Sequence, residues 1–239
     1  MNNLAPWTSV IKSPVSPLSE EITALVEHGF LPYLRPCAPP GVQLHMRRGE
    51  KISDGKLPST HSAGQWFGFP AWRTYEPKAS DALEWSTWPG AGLCLVTGDI
   101  CAFDIDIKFS WDDESEPAKR GRRCISEIIK AITSKAGRDT KTTPLRGREN
   151  STSCAFFVRV SSRVEKQVVT LFEVGSDRKH KVEFLASGQQ IVIAGMHDSG
   201  VRVTSTLSDY ALDRVPTISA ETLQEIMFEI AAVAQRHGA

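Results

Sequence analysis

Residues 93–107 read LCLVTGDICAFDIDI and contain two apolar runs, separated by Gly98 and Asp99. Each run has the length and composition of a β-strand, at 93–97 and 100–107. Glycine followed by aspartate supplies the backbone freedom of a tight turn. The stretch therefore predicts a β-hairpin.

The second of these strands carries two carboxylates, Asp104 and Asp106. Alternate side chains of a strand share a face, so both aspartates point the same way and Phe103, Ile105 and Ile107 face a core. Two carboxylates in an apolar strand repel each other and lose hydration, which costs several kcal/mol unless a cation compensates. Mg²⁺ and Mn²⁺ suit such hard oxygen ligands. The alternative is that both aspartates end a strand in water.

The composition is that of an ordinary globular protein. The chain has 239 residues, of which 41% are hydrophobic, and its 28 Lys and Arg balance 28 Asp and Glu. A net charge of zero excludes a field over the whole protein that attracts nucleic acid, so any basic site is local. The five cysteines lack C-x-x-C spacing and favour reduced thiols. No signal peptide or membrane span is evident, which predicts a cytoplasmic protein.

The pattern along the chain predicts a mixed α+β fold. Residues 1–17 are rich in Pro and Ser and indicate a flexible arm, followed by a single domain over 18–239. The stretch 32–79 is predicted to be an irregular, packed loop region. Apolar periodicity predicts helices at 19–29, 80–88, 118–136 and 220–236, and strands at 154–160, 168–174, 181–185, 190–194 and 201–206.

Further motifs surround the two aspartates. The segment VEFLASGQQIVIAGMHDSG at 182–200 places Glu183 in another apolar strand. Upstream lie GKLP at 55–58 and WSTWPGAGLCLVTG at 85–98. Taken in order, with D-I-D at 104–106, these motifs resemble the bifunctional primase–polymerase branch of the archaeo-eukaryotic primase superfamily, over residues from about 29 to 206.

The resemblance implies a fold, a reaction and a set of site residues. The fold is a primase–polymerase catalytic core with an RNA-recognition-like β-sheet subdomain and helices packed on the sheets. Asp104, Asp106 and Glu183 match the carboxylate triad, which holds two Mg²⁺ or Mn²⁺ ions for template-directed nucleotidyl transfer. Such ions activate a 3′-hydroxyl and neutralise the leaving pyrophosphate. Expected partners are a single-stranded DNA template, NTPs or dNTPs and a helicase domain or protein, in the replication of a phage or mobile element.

The chain departs from the family at the motif that usually places a histidine against the triphosphate. The matching region, PLRGRENSTSCAFFVRV, has no histidine. Arg146 and Arg148 are candidates for its role, since guanidinium groups bind phosphate oxygens in bidentate fashion. Ser151, Thr152 and Ser153 add hydroxyl donors. The alternatives are that both arginines are solvated loop charges, or that the site is impaired.

Three more residues are candidates for nucleotide binding: His197 after a strand, Gln190 for base or sugar edges, and Lys56 for a phosphate. The tryptophans at 66, 72, 85 and 88 offer stacking surfaces for template bases, although core packing suits most of them better. Two other functions stay open. Paired carboxylates also serve metal-dependent nucleases, and the missing histidine is compatible with a module of the same fold that only binds nucleotide or nucleic acid.

Overall fold

The computed structural model describes residues 18–173 and 179–238. The predicted arm, residues 1–17, lies outside the described residues. Four α-helices occur in the described part: α1 (Leu18–Glu27), α2 (Ala79–Trp85), α3 (Glu116–Lys135) and α4 (Ala220–Arg236). None of these helices is both long enough and apolar enough to cross a membrane.

The strands of the described residues form two sheets. In chain order they are β1 (Leu34–Cys37), β2 (Gln43–Met46), β3 (Gly49–Ile52), β4 (Ser59–Ser62), β5 (Gln65–Gly68), β6 (Gly92–Val96), β7 (Ile100–Asp106), β8 (Leu145–Arg148), β9 (Cys154–Val160), β10 (Gln167–Glu173), β11 (Lys179–Leu185), β12 (Gln190–Met196), β13 (Arg202–Ser205) and β14 (Thr217–Ile218). The main sheet has the order β1-β6-β12-β13-β8-β9-β7-β11-β10, and β14 pairs with β9 in parallel. The small sheet has the order β3-β2-β5-β4. Helices and largely antiparallel sheets make this a mixed α+β protein, as the sequence predicts.

One face of the main sheet is covered by α3 and α4. Phe103 of β7 and Phe184 of β11 lie in this core with their ring centroids 4.9 Å apart. The helices contribute stripes of buried isoleucines at the 3.6-residue period. Gly121 lets α3 approach closely, because a Cβ there would lie 2.7 Å from the Phe109 ring.

A serine caps the N-terminus of each of these two helices. Ser115 accepts a hydrogen bond from the backbone of Ala118 at the start of α3. Ser219 does the same with Thr222 at the start of α4. Such caps satisfy backbone N–H groups that have no partner inside the helix. The predicted helix 220–236 therefore agrees with the structure at both ends.

The opposite face of β7 and β9 meets a second core. Ala102 and Phe157 pack there with Leu93 and Leu95 of β6, and with residues of β12, α1 and α2. The two halves of the main sheet thus pack against each other through their apolar faces. This second core ends where the carboxylates of β7 begin.

The predicted hairpin of residues 93–107 is wrong. β6 pairs with β1 and β12, whereas β7 pairs with β9 and β11. The backbone of Thr97 is bound instead by Gly188 and Gln189, from the turn between β11 and β12. β6 and β7 face each other across the second core instead of pairing. The sequence does not distinguish the two arrangements, because an apolar run that is buried on both faces does not show which strands lie beside it.

The region 32–79 is not irregular, in contrast to the prediction. It contains β1 and the whole small sheet. Each of these strands has only four residues, and the outer strand β3 is exposed along its whole length. Such short strands leave no clear period in the sequence.

Candidate active site

The three carboxylates of the predicted triad lie on adjacent strands. Glu183 on β11 is the direct register partner of Asp104 on β7, and the Cβ atoms of such pairs are about 5 Å apart. Asp106 follows on the same face. The cross-strand row continues through Ala155 of β9 to Arg146 of β8. Because alanine is small, the Arg146 guanidinium passes over it and lies 3.7 Å from Asp104 Oδ1.

Two of the carboxylates are also paired with lysines. Lys166 and Lys181 each place Nζ 2.6 Å from a different oxygen of Glu183. Lys108 Nζ lies 3.2 Å from Asp106 Oδ2. These lysines were not predicted from the sequence as partners of the carboxylates. Lys181 and Lys108 each stand two residues from the acid they contact, and this spacing was an available signal.

The two carboxylates of the row, Asp104 and Glu183, differ in the direction of their pKa shifts. Burial raises the pKa of Asp104, Arg146 opposes the rise, and the neighbouring Asp106 and Glu183 carboxylates add to it. Burial also acts to raise the pKa of Glu183, but hydrogen bonds from its two lysines outweigh it and hold that pKa below its ordinary value. The negative charge at Asp104 is therefore the least well compensated of the two, which favours an added cation there.

The carboxylates fit a divalent ion in chemistry and placement but not in their present side-chain arrangement. Carboxylate oxygens are the ligands that Mg²⁺ and Mn²⁺ prefer. Within residues 18–173 and 179–238, however, no three His, Cys, Asp or Glu side chains converge as a metal-binding group. Lysine ammonium groups occupy the oxygens of Glu183 and Asp106. A metal ion would have to replace these contacts.

Arg148 lies on the same face of β8 as Arg146. Its guanidinium contacts the predicted site residue His197. Arg148 Nη1 lies 2.6 Å from His197 Nε2, and Nη2 donates to Ser151 Oγ at 3.3 Å. Burial and the charge of Arg148 lower the pKa of His197 to about 4. The ring is therefore neutral at pH 7, so that Nε2 accepts from Arg148 while Nδ1 faces Asp198 Oδ1 at 2.6 Å. Arg148 Nε is buried without a hydrogen-bond partner among the described residues.

The predicted hydroxyl donors have different surroundings. Ser153 Oγ lies 3.5 Å from Asp106 Oδ1 and donates to Ile107 O at 3.0 Å. Thr152 Oγ1 bonds the backbone of Ile107 and Phe109 and thus fixes the chain beyond β7. Ser153 is beside the carboxylates, whereas Thr152 has a structural role.

Lys56 and Gln190 lie at the rim of this cluster. Gln190 Nε2 donates to Lys56 O at 3.2 Å, so its amide is used to hold a loop. The Lys56 side chain is exposed, and its charge contributes to the low pKa of His197. The structure therefore brings Lys56 towards the Arg148–His197 pair but gives Gln190 a positioning contact.

The tryptophans mostly pack in the interior. Trp66 and Trp85 are 5% and 4% exposed, and Trp88 contacts Trp66 with ring centroids 5.8 Å apart. Trp72 is partly exposed and carries the Arg73 guanidinium 4.4 Å from its ring centroid. Core packing is confirmed for Trp66 and Trp85.

Comparisons with known proteins add no relative. No protein-family model matches the chain, and no match was found among curated proteins or among solved structures.

Proposed function

We propose that the chain is a template-directed nucleotidyltransferase, a DNA primase or polymerase of the primase–polymerase type. The observation that carries this proposal is the single cross-strand row on which Glu183 and Asp104 lie beside Arg146. Acidic and basic clusters side by side suit a reaction in which divalent ions and a triphosphate meet. We further propose the cytoplasm as its location, and a helicase domain or protein as a partner.

In this proposal Asp104, Asp106 and Glu183 hold two Mg²⁺ or Mn²⁺ ions. When bound, such ions activate a 3′-hydroxyl and neutralise the leaving pyrophosphate. Arg146 and Arg148 bind the phosphates of the incoming NTP or dNTP with planar, charged donors. This arrangement supplies the phosphate contact for which the primase–polymerase family uses a histidine on a strand.

His197 has a different role here from the histidine of that family. Because its Nε2 accepts from Arg148, it orients the guanidinium instead of carrying positive charge itself. The buried Arg148 Nε has no partner among the described residues, and a buried donor without a partner costs about 1–3 kcal/mol. Because Nε has essentially no exposed surface, a phosphate oxygen reaches it only if the Arg148 side chain shifts, and a shift that forms this bond removes the cost.

A second candidate function, a module that binds nucleotide without turning it over, is favoured by one observation. The Glu183 carboxylate is held by two lysines. If those contacts persist with substrate, the third carboxylate does not reach a metal ion. Lys166→Ala separates the two functions, because an enzyme in which Lys166 competes with metal needs less metal after this change.

The experiment is incubation with labelled nucleotide, Mn²⁺ and primed or unprimed single-stranded templates. Extension in the wild type that is lost in Asp104→Asn supports the proposal. The matched control is Asp213→Asn, an exposed aspartate of the 3-10 turn Leu212–Arg214, which keeps full activity. Degradation of the template indicates a nuclease, and nucleotide binding without either reaction indicates the binding module.

A further inference from the structure

The hairpin formed by β2 and β3 carries a local excess of positive charge. Arg47 and Arg48 lie at its tip and Lys51 on β3, and all three side chains are exposed. None of the three forms an ion pair with another described residue. The only carboxylate of the hairpin, Glu50, is held by His45 Nδ1 at 2.8 Å and by Gln43.

The outer face of the small sheet presents aromatic and apolar side chains, together with Gln43 and the Glu50 carboxylate, next to these charges. Phe67 of β5 is the register partner of His45, and their ring centroids are 5.4 Å apart. Both rings are partly exposed. Ile52, beside Gln43 on the same face, is 65% exposed. Aromatic rings flanked by unpaired cations form the combination that binds single strands, because bases stack while cations follow the phosphates.

The hairpin is tied to the edge of the candidate active site. The backbone of Ser53 pairs with Gly41 and Val42 and extends the hairpin beyond β3. Gly55 then packs so closely that a Cβ would lie 3.1 Å from Met196 O. The next residue, Lys56, contributes to the low pKa of His197. The chain therefore leads from the basic tip to the Arg148–His197 pair along one short loop.

We propose that this outer face, with Arg47 and Arg48 at its tip and Ile52 and Phe67 on its surface, binds a single strand of nucleic acid that runs toward the carboxylates. The assignment of that strand as the template rests on the proposed function. Binding of the strand itself rests only on the charge and exposure of the hairpin and the small sheet.

The test is fluorescence anisotropy of the full chain with a labelled oligothymidylate at several salt concentrations. Arg47→Ala/Arg48→Ala removes two cations and is expected to weaken binding. Each phosphate contact on a single strand contributes about 0.7 to the magnitude of the slope of log K against log salt. The loss of two contacts therefore lowers that magnitude by about 1.4. The matched control is Arg123→Ala/Lys130→Ala, which removes two exposed cations from α3. We expect the control to keep the slope and the affinity of the wild type.

The aromatic part of the surface has its own variants. Phe67→Ala is expected to weaken oligothymidylate binding about tenfold through lost stacking, whereas Phe67→Tyr retains it. Thermal unfolding of both variants checks that the fold is intact. If Phe67→Ala fails to fold, the exposed Ile52→Ser replaces it, with a smaller expected loss of affinity. Equal affinity in the wild type and all hairpin and Phe67 variants overturns the proposal and assigns this face to another kind of partner, such as a protein.

The outcome is separable from that of the proposed function. If the wild type incorporates no nucleotide but the hairpin variants lose oligonucleotide affinity, the binding surface stands and the transferase fails. If the wild type incorporates nucleotide while the hairpin double variant binds like the α3 control, the binding surface fails alone.

Discussion

The two faces of β7 meet opposite physical demands within seven residues. On one face Phe103 and Ile105 are fully buried beneath α3 and α4. On the other, Asp104 and Asp106 keep about a quarter of their side-chain surface exposed and contact Arg146 and lysine. One face has the features of a core, and the other those of a binding site.

This difference separates what stabilises the protein from what it does. Apolar burial on the helix side contributes about 1.5–3 kcal/mol for each large side chain. On the other side, burial and neighbouring carboxylates raise the pKa of Asp104, which means that its ionisation costs stability. Residues that cost stability are expected at functional sites.

The largest expected effect is on the helix face. Phe103→Ala removes a fully buried ring that contacts Phe184 and should lower the free energy of unfolding by about 3–5 kcal/mol. The matched control is Phe228→Ala on α4, where the ring is 79% exposed and the expected change is within about 0.5 kcal/mol. Urea denaturation measures both. Similar losses in the two variants would contradict the assignment of the core.

Glu21, a carboxylate outside the site, tests whether burial is enough to make the ionisation of a carboxyl group lower the stability of the fold. Glu21 of α1 has Oε1 buried without a hydrogen-bond partner among the described residues, and burial raises its pKa to about 7. The stability that this shift contributes is present below pH 4.5 and is lost as the pH rises through 7. Glu21→Gln should therefore raise the free energy of unfolding at pH 8 by up to about 3 kcal/mol. It should change little at pH 4.

Denaturation of Glu21→Gln at pH 4, 6 and 8 measures this effect, with the exposed Glu20→Gln as control. The pKa of about 7 already includes the opposing charge of Arg202 and the reinforcing charge of Asp209. A stability difference that does not depend on pH would show that the Glu21 carboxyl is well solvated.

Substitution of Arg148, at the basic end of the site, should weaken the binding of nucleotide but not the binding of template. Arg148→Ala should weaken nucleotide binding by about 1.5–3 kcal/mol, the range for a lost hydrogen bond to a charged group. Arg148→Lys should restore only part of it, because an ammonium lacks the planar fork. Calorimetric titration with a non-hydrolysable dNTP measures this loss, and oligonucleotide affinity is the control. An equal loss of oligonucleotide affinity would place Arg148 on the template path.

The smallest expected effect is on the stability of the carboxylate face. Asp104→Asn removes one of three neighbouring negative charges, so the free energy of unfolding without metal should stay within about 0.5 kcal/mol of the wild type or rise. Urea denaturation in EDTA measures it. A loss comparable to that of Phe103→Ala would mean that Asp104 holds the fold together, mainly through Arg146.

The sequence predicted the helices and the alternation along β7 because both depend on local periods and caps. Ser219 and the isoleucines of α4 are visible within a few residues of each other. The predicted hairpin was wrong because strand pairing is a long-range property. Leu93 and Leu95 have the same apolar pattern whether they pair with β7 or, as they do, pack against it.

The candidate site was predictable in its members but not in its contacts. Asp104 and Glu183 stood out because carboxylates in apolar strands are costly. Their direct register depends on β11 pairing with β7 across more than seventy residues, and no local pattern encodes it. The contact of Lys166 with Glu183 depends on the pairing of β10 with β11. The contact of His197 with Arg148 depends on the pairing of β13 with both β12 and β8.

Binding of Mn²⁺ is the measurement that tests the central claim most directly. The claim is that Asp104, Asp106 and Glu183 form a metal site once the lysines are displaced. Titration of the full chain with Mn²⁺ in the presence of dNTP, with free ion followed by electron paramagnetic resonance, should show saturable binding in the wild type. Binding should weaken at least tenfold in Asp106→Asn and remain normal in the exposed control Asp213→Asn. Equal Mn²⁺ affinity in the wild type and Asp106→Asn would contradict the account.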